Sequence, residues 1–340
     1  MDISTVKTYF EGLPDNEQDS LLSTLTAIKS NFDLGLIDIR ETNFNEKRGL
    51  CPHCGNVKYV KMGKDKGVQR YKCKACTRTF TPYTGTWMAQ IHKKEKLADY
   101  LKLMQQGLSL EKIKKKLKIN KKTAFDWRHK ITIAIKDVGG DMFLGITESD
   151  ETFFLHSEKG SGKLTRKSRK RGKQIKTKGI SKEQVAVIAT VDRKGAVSLN
   201  ASCFGRIRKS DIEKAIGKRI NEQTVLCTDG HKSFEGFAMD NNIEHHILKA
   251  NLKQFVKQGK FHIQNINSLH SRLKNWINQD LYGVATKYLQ NYLNWFRLKE
   301  KFKKIDYMKE IVLLSLGSTT ARAEYLYAVK NIYNNKTTLF

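Results

Sequence analysis

Two aspartates stand at the ends of strand-like apolar runs. Asp150 closes the run LGITESD, and Asp229 closes TVLCTD just before Gly230. An unpaired carboxylate beside apolar residues is costly, and bound divalent cations would remove that cost. Two cations held by carboxylates are also a common device for nucleotidyl transfer on phosphodiesters. Taken alone, each aspartate is equally compatible with a turn residue or a helix cap.

A later segment, HIQNINSLHSRLKNWI, has the apolar periodicity of a helix. It places Asn267 and Lys274 two turns apart on one face. A polar stripe on this helix consists of Gln264, Asn267, Ser271 and Lys274. Beside it lies an apolar stripe of Ile266, Leu269, Leu273 and Ile277. A polar stripe of this kind can face an active site.

Two glutamates flank Asp150 in the same strand-like run. We expect both Glu148 and Glu151 to point away from Asp150 on a strand, which leaves Glu151 as a secondary candidate only.

Four of the six cysteines form two Cys-x-x-Cys pairs, Cys51 with Cys54 and Cys73 with Cys76. Their spacing matches a tetrahedral structural zinc site, in which each pair presents two thiolates from a tight knuckle. Four protein ligands leave no open position, so the one zinc ion would be structural. Apolar and basic residues alternate between the pairs and predict a β-hairpin. The remaining cysteines, Cys203 and Cys227, are interpreted as core residues.

Residues 92–134 predict three helices in a helix-turn-helix arrangement. The first runs from about Lys94 to Gln106, the second follows an N-cap at Ser109, and the third follows Asn120. On the third helix Ala124, Trp127 and Ile131 face the core, and the DNA-facing side carries Lys121, Lys122, Phe125, Arg128 and His129. A three-helix bundle with a solvated basic face is the alternative.

A basic segment, residues 159–182, contains eleven basic residues and no acid. We interpret it as an extended loop that follows DNA phosphates, with a solvated charge run as the alternative. The candidate DNA contacts in this arm are Arg166, Arg169, Lys170 and Arg171.

The composition favours a polyanionic partner. Lys and Arg total 63 against 34 Asp and Glu, a formal net charge of +29, and nucleic acid is the natural counterpart. The sequence contains no signal peptide and no long apolar run, so we expect no membrane span. Paired cysteines suit a reducing compartment, which indicates the cytoplasm, in association with the nucleoid of a prokaryote.

These segments give a multi-domain α+β chain. We expect an N-terminal helical segment at 1–47, with Leu21, Leu25 and Ile28 on one face, and a zinc ribbon at 48–86. The helix-turn-helix at 92–134 is followed by a β-rich domain at 140–300, which turns helical again from about 252. A helical tail occupies 301–340.

The chain resembles bacterial and archaeal insertion-sequence transposases of the ISXO-like group, the insertion-sequence family numbered 1595. The resemblance covers most of residues 48–300. It is carried by four blocks, CPHCG…QRYKCKACTRTFTPYTGT, SDETFF, CTDGHKSF, and QNINSLHSRLKNWI followed by GVATKYLQNYLNWFR.

This resemblance implies an RNase H-like α/β catalytic domain, a mixed sheet flanked by helices. It implies Asp150 and Asp229 as catalytic acids, Asn267 where many relatives of the wider superfamily carry glutamate, and Lys274 as the accompanying lysine. Two Mg²⁺ or Mn²⁺ ions would be held by the two aspartates and Asn267. The implied reaction frees a 3′-hydroxyl at the element's end, and that hydroxyl attacks target DNA. Partners would be double-stranded DNA, as terminal repeats and target, and further copies of the chain on paired ends.

Two other functions remain open from the sequence. One is a DNA-binding regulator or inactive transposase remnant that keeps only the ribbon and the helix-turn-helix. The other is an RNase H-like nuclease without strand transfer.

Overall fold

A computed structural model describes residues 9–20, 41, 44, 49–65, 67–136, 140–165, 179–249 and 252–302. Three predictions lie outside these ranges: the apolar face of Leu21, Leu25 and Ile28, the arm residues Arg166, Arg169, Lys170 and Arg171, and the helical tail beyond 302. The chain divides into two compact units between Asp99 and Tyr100. Within the described residues, no helix combines the length and the apolar character needed to cross a bilayer.

The first unit contains the predicted hairpin. Strands β1 (Tyr59–Asp65) and β2 (Val68–Cys73) pair antiparallel, and a short β3 (Thr79–Phe80) pairs with β2. Because so small a sheet buries little apolar area, an aromatic cluster supplies much of its core. Ring centroids in this cluster lie 5.2–6.1 Å apart, and its members are Phe44, Tyr59, Tyr71 and Phe80.

The three predicted helices are present, with the predicted caps. Helix α1 (Leu97–Gln105) crosses the division between the units, and α2 (Leu110–Leu117) begins after Ser109, whose Oγ accepts from the Lys112 N–H. Helix α3 (Lys121–Ala134) begins after Asn120, whose side chain accepts from the Thr123 N–H at 2.7 Å. These caps satisfy amide donors that the first helical turn leaves free.

Two residues expected on the DNA-facing side of α3 are buried instead. Arg128 is 2% exposed, donates from Nη2 to the Leu108 carbonyl at 2.8 Å and lies over the Trp295 ring. His129 is 3% exposed, and burial lowers its pKa to about 3. The predictions for Arg128 and His129 are therefore wrong, because a helix packed on two sides exposes a narrower face. Lys121 and Lys122 are exposed, as predicted.

The second unit is built on a five-stranded mixed sheet. Its strands are β4 (Gly145–Leu155), β5 (Gln184–Asp192), β6 (Val197–Phe204), β7 (Thr224–Thr228) and β8 (Glu244–Ile247), in the order β6-β5-β4-β7-β8. The first three strands form an antiparallel meander, and β7 and β8 add parallel to β4. The central β4 therefore has a hydrogen-bonded neighbour on each side.

Helices cover both faces of this sheet. Helices α4 (Lys209–Ile216) and α5 (Lys232–Asp240) bury Ile212, Phe234 and Phe237 against Ala186 and Ile188 of β5. Helix α6 (Gln264–Asn275) packs on β4 and β5, and α7 (Leu289–Lys301) packs on β6. The predicted apolar stripe of α6 is buried, and so is the aromatic face of α7 with Tyr292, Trp295 and Phe296.

Two elements differ from the prediction. The chain is not helical from 252, because residues 252–263 form a loop and α6 begins only at Gln264. Strand β8 was not predicted, since its sequence EHHI has only one strongly apolar residue.

The buried Arg128 should contribute to the stability of the fold and not to DNA binding. We expect Arg128→Ala to lower the free energy of unfolding by about 2 kcal/mol or more, because it leaves the Leu108 carbonyl without its charged donor. Chemical denaturation would measure this. The matched variant Lys122→Ala should leave the denaturation midpoint unchanged but weaken DNA binding. Equal stability of the two variants would contradict the assignment of Arg128 to the core.

Candidate active site and metal-binding cluster

The carboxylate Asp150 lies in the middle of the central strand, β4. Strand β7 pairs with β4 from Gly145↔Thr224 to Glu148↔Cys227, and two further steps in this register set Asp150 beside Asp229. Asp229 is exposed just past the end of β7 and accepts from the His231 N–H at 3.0 Å. Adjacent parallel strands thus bring together two acids 79 positions apart in the sequence.

The turn after Asp229 requires glycine. Gly230 has a φ of +91°, and a Cβ there would lie 2.6 Å from Cγ2 of Ile247. The chain then enters α5 after His231, whose Nδ1 accepts from the Ser233 N–H at 3.2 Å. This tight turn fixes Asp229 at the end of β7.

The electrostatics of Asp150 are those of a crowded carboxylate. Its side chain is 18% exposed. Burial, followed by the negative charges of Asp229 and Glu151, raises the pKa of Asp150 to about 8, and the nearby Lys274 opposes the rise. Burial also raises the pKa of Glu151. Oxygen ligands with excess negative charge suit a hard divalent cation, so the donor set fits Mg²⁺ or Mn²⁺.

Glu148 corrects one sequence-based expectation. Being two residues from Asp150 on a strand, it lies on the same face of the sheet and does not point away. Its side chain is 1% exposed, and it accepts hydrogen bonds from the Asn265 amide at 2.9 Å and the Ile266 N–H at 3.0 Å. Arg193 Nη2 pairs with it at 2.8 Å. Glu148 thereby ties the first turn of α6 to the strand that carries Asp150.

Helix α6 carries the other two predicted site residues, Asn267 and Lys274, both exposed on one face. His270 lies between them on that face, and sequence reasoning missed it. Its Nδ1 is 3.7 Å from Oδ2 of Asp150. Burial, assisted by Lys274, lowers its pKa to about 4, so it is neutral at pH 7. Its position three residues after Asn267 and four before Lys274 was the available signal.

Four further histidines near the site have structural partners. His231 caps α5, His245 Nε2 bonds to Thr228 Oγ1 at 2.8 Å, and His246 stacks on Phe261. The His262 ring nitrogen Nδ1 lies 3.4 Å from Oε1 of Glu148.

The four paired cysteines converge in the first unit. The Sγ atoms of Cys51, Cys54, Cys73 and Cys76 all lie within 4.8 Å of one another. Cys51 to Cys76 is 3.7 Å and Cys54 to Cys73 is 3.6 Å. Thiolates on a tetrahedral zinc are about 3.8 Å apart, since each Zn–S bond is about 2.3 Å. This cluster could hold one metal ion, and its geometry matches zinc.

Metal analysis tests the cysteine cluster directly. We expect protein purified without chelator to contain about one equivalent of zinc, and Cys73→Ser to lose it, because three thiolates bind zinc more weakly than four. Elemental analysis by mass spectrometry gives the measurement. Cys203→Ser, outside the cluster, should retain zinc. Zinc retained by Cys73→Ser at the wild-type level would contradict the assignment.

The raised pKa of Asp150 predicts a pH-dependent stability. Between pH of about 4 and about 8 the folded state keeps a proton that the unfolded state releases, so the contribution of Asp150 to unfolding free energy falls as pH rises. In buffer free of added Mg²⁺ and Mn²⁺, Asp150→Asn should melt above wild type at pH 8 and close to it at pH 4. Thermal scans across this range measure the difference. Asp280→Asn is the exposed control, and a wild-type-minus-Asp150→Asn difference independent of pH would contradict the prediction.

Comparison with known proteins agrees with this geometry. Residues 142–300 match the family model of the ISXO2-like transposase domain. The chain is 24% identical over 258 residues to an uncharacterized protein in transposable element ISH50 of Halobacterium salinarum, covering 75% of this chain and 86% of that protein. A chain in the crystal structure of a pre-cleavage Mos1 transpososome aligns at 9% identity and a TM-score of 0.25, covering 68% of this chain and 77% of that one. A TM-score this low supports no conclusion about fold. The resemblance found in the sequence blocks is confirmed over residues 142–300, which match the ISXO2-like transposase domain.

Proposed function

We propose that this protein is an insertion-sequence transposase that cleaves DNA at an element's ends and joins it to target DNA. The observation that carries the proposal is the convergence of Asp150 and Asp229 on adjacent parallel strands, inside the region that matches the transposase domain. The strand order supports an RNase H-like fold, since three antiparallel strands are followed by two parallel ones on the other side of β4.

The proposed site residues differ in charge, and their proposed roles differ accordingly. Asp150, Asp229 and the Asn267 amide oxygen are the proposed ligands of Mg²⁺ or Mn²⁺. Two such ions would activate the attacking oxygen and stabilise the leaving one. Because an amide oxygen brings no charge, the two aspartates supply the anionic charge of this ligand set. Lys274 lies on the same helical face and is placed to meet a non-bridging phosphate oxygen.

His270 and Glu148 act through these residues. The neutral imidazole of His270 stands 3.7 Å from Asp150 and limits where that carboxylate can turn. Glu148 fixes the start of α6 and hence the approach of Asn267 and Lys274 to the aspartates. We propose both as positioning residues.

The DNA-binding function is proposed on charge and exposure. Lys121 and Lys122 are exposed at the start of α3, where a recognition helix meets the major groove. Lys121 also pairs with Glu111 at 2.9 Å, an exposed contact that DNA phosphate can replace. The basic arm, with Arg166, Arg169, Lys170 and Arg171, would add phosphate contacts, and the cysteine cluster would hold one structural zinc. Pairing of element ends calls for at least two copies of the chain.

Two other functions make different predictions. A regulator or inactive remnant would bind DNA with no metal-dependent chemistry, yet it has no use for the crowded Asp150 site. A nuclease of the same fold would cleave without joining. The domain match favours strand transfer over both.

A strand-transfer assay tests the proposed function. With Mg²⁺ or Mn²⁺ and the DNA that flanks this reading frame, wild type should cleave and join. Asp150→Ala and Asp229→Ala should each lose at least about 10³-fold in rate, because each removes charge that holds the metal, while DNA affinity is kept. Asp240→Ala, in an exposed carboxylate of α5, is the matched control.

Two outcomes would sink the proposal. Unchanged joining by either Asp150→Ala or Asp229→Ala would remove the assigned site. Cleavage by wild type that is never followed by joining would support the nuclease instead.

A further inference from the structure

Three large apolar side chains are exposed together between β8 and α6. Leu252 is 60% exposed, Phe255 57% and Val256 47%. Burying such side chains is favourable, so an exposed group of them within five residues calls for a partner.

The segment that carries them is held by a well-formed turn. Lys257 and Phe261 exchange backbone hydrogen bonds at 2.8 and 2.9 Å, and Gln258 and Gly259 between them have φ of +51° and +67°. Three residues separate Lys257 from Phe261, and the two positive φ values among them close this tight hairpin loop. Phe261 is 4% exposed and stacks on His246 with ring centroids 3.6 Å apart. The exposed apolar residues thus directly precede a turn that the buried Phe261 anchors.

The chain is rich in lysine along this segment. Lys249, Lys253, Lys257 and Lys260 lie in or beside it, and no acidic residue occurs between Glu244 and Asp280. Apolar side chains bordered by lysines suit DNA, where the lysines meet phosphates and the apolar groups enter between base pairs. A purely apolar protein surface would gain nothing from four lysines.

The segment leads directly into α6, which carries Asn267 in its first turn. At the opposite end of that helix, Lys159 at the start of the basic arm donates from Nζ to the Tyr282 and Gly283 carbonyls at 2.8 and 2.7 Å. Lys159 therefore lies beyond Lys274, and the apolar segment stands before Asn267. DNA lying along α6 would meet Lys159 at one end of the helix and the apolar segment at the other.

We propose that residues 252–260 form a DNA wedge that unstacks a base step beside the scissile phosphate, at the end of α6 opposite Lys159. The lysines bind the flanking phosphates, and Phe255 is the residue that stacks on the displaced base. This inference rests on the proposed function but adds a contact that the transposase match does not assign.

Fluorescence of 2-aminopurine tests the wedge. The full-length protein is mixed with duplexes of the flanking DNA that carry the probe at successive positions around the cleavage site, with Ca²⁺ in place of Mg²⁺. Wild type should raise the fluorescence at one step, because unstacking relieves quenching. Phe255→Ala should abolish the rise and weaken binding about 5- to 100-fold, the range of one lost stacking contact. Phe255→Trp should restore both.

The controls separate this test from the activity assay. Met239→Ala, at a still more exposed apolar residue on α5, should behave as wild type. Because Phe255 is exposed, Phe255→Ala should melt like wild type, so its loss of signal cannot be attributed to unfolding. Wild type that cleaves and joins without any rise in fluorescence would overturn the wedge and leave the transposase intact. A Phe255→Ala variant that dissociates a dimer while keeping the fluorescence rise would also overturn it.

Discussion

A buried carboxylate sets the geometry on which the candidate site depends. Glu148 is a charge removed from water at the centre of the sheet, and such a group is tolerated only when its hydrogen bonds are met. Arg193 supplies the countercharge, and the Asn265 amide and the Ile266 N–H complete the set. Two of these partners belong to the first turn of α6, where the helix dipole also favours a negative group. The cost of freeing Glu148 therefore holds α6 in one position over β4, with His270 beside Asp150.

The sequence was most informative where one local rule decides the structure. Cysteine spacing predicted the cluster of four thiolates, and Ser109 and Asn120 marked helix starts, because a metal knuckle and an N-cap each depend on a few adjacent residues. Apolar runs predicted β4 and β7 for the same reason. The side-chain roles of Asp150, Asp229, Asn267 and Lys274 rest on resemblance and geometry and stay predictions.

The features that the sequence did not predict depend on contacts between distant segments. Nothing local shows that Arg128 meets Trp295, so its charge was taken for surface charge. His270 was hidden within a helical pattern that fits both a core and a site. The loop at 252–263 depends on turn geometry, with positive φ at Lys253, Gln258 and Gly259, and the sequence does not show this turn. Glu148 shares a sheet face with Asp150 because side chains two residues apart on a strand point the same way.

The burial of Arg128 and His129 has a consequence for the DNA substrate. Helix α3 packs on α7, with His129 against Tyr288 and Tyr292 and with Arg297 donating to the Lys136 carbonyl at 2.7 Å. Helix α7 in turn packs on the sheet that carries Asp150. The proposed recognition helix α3 is thus packed, through α7, against the sheet that carries Asp150. For the proposed transposase, this side-chain packing would set the number of base pairs between the sequence that is read and the bond that is cut.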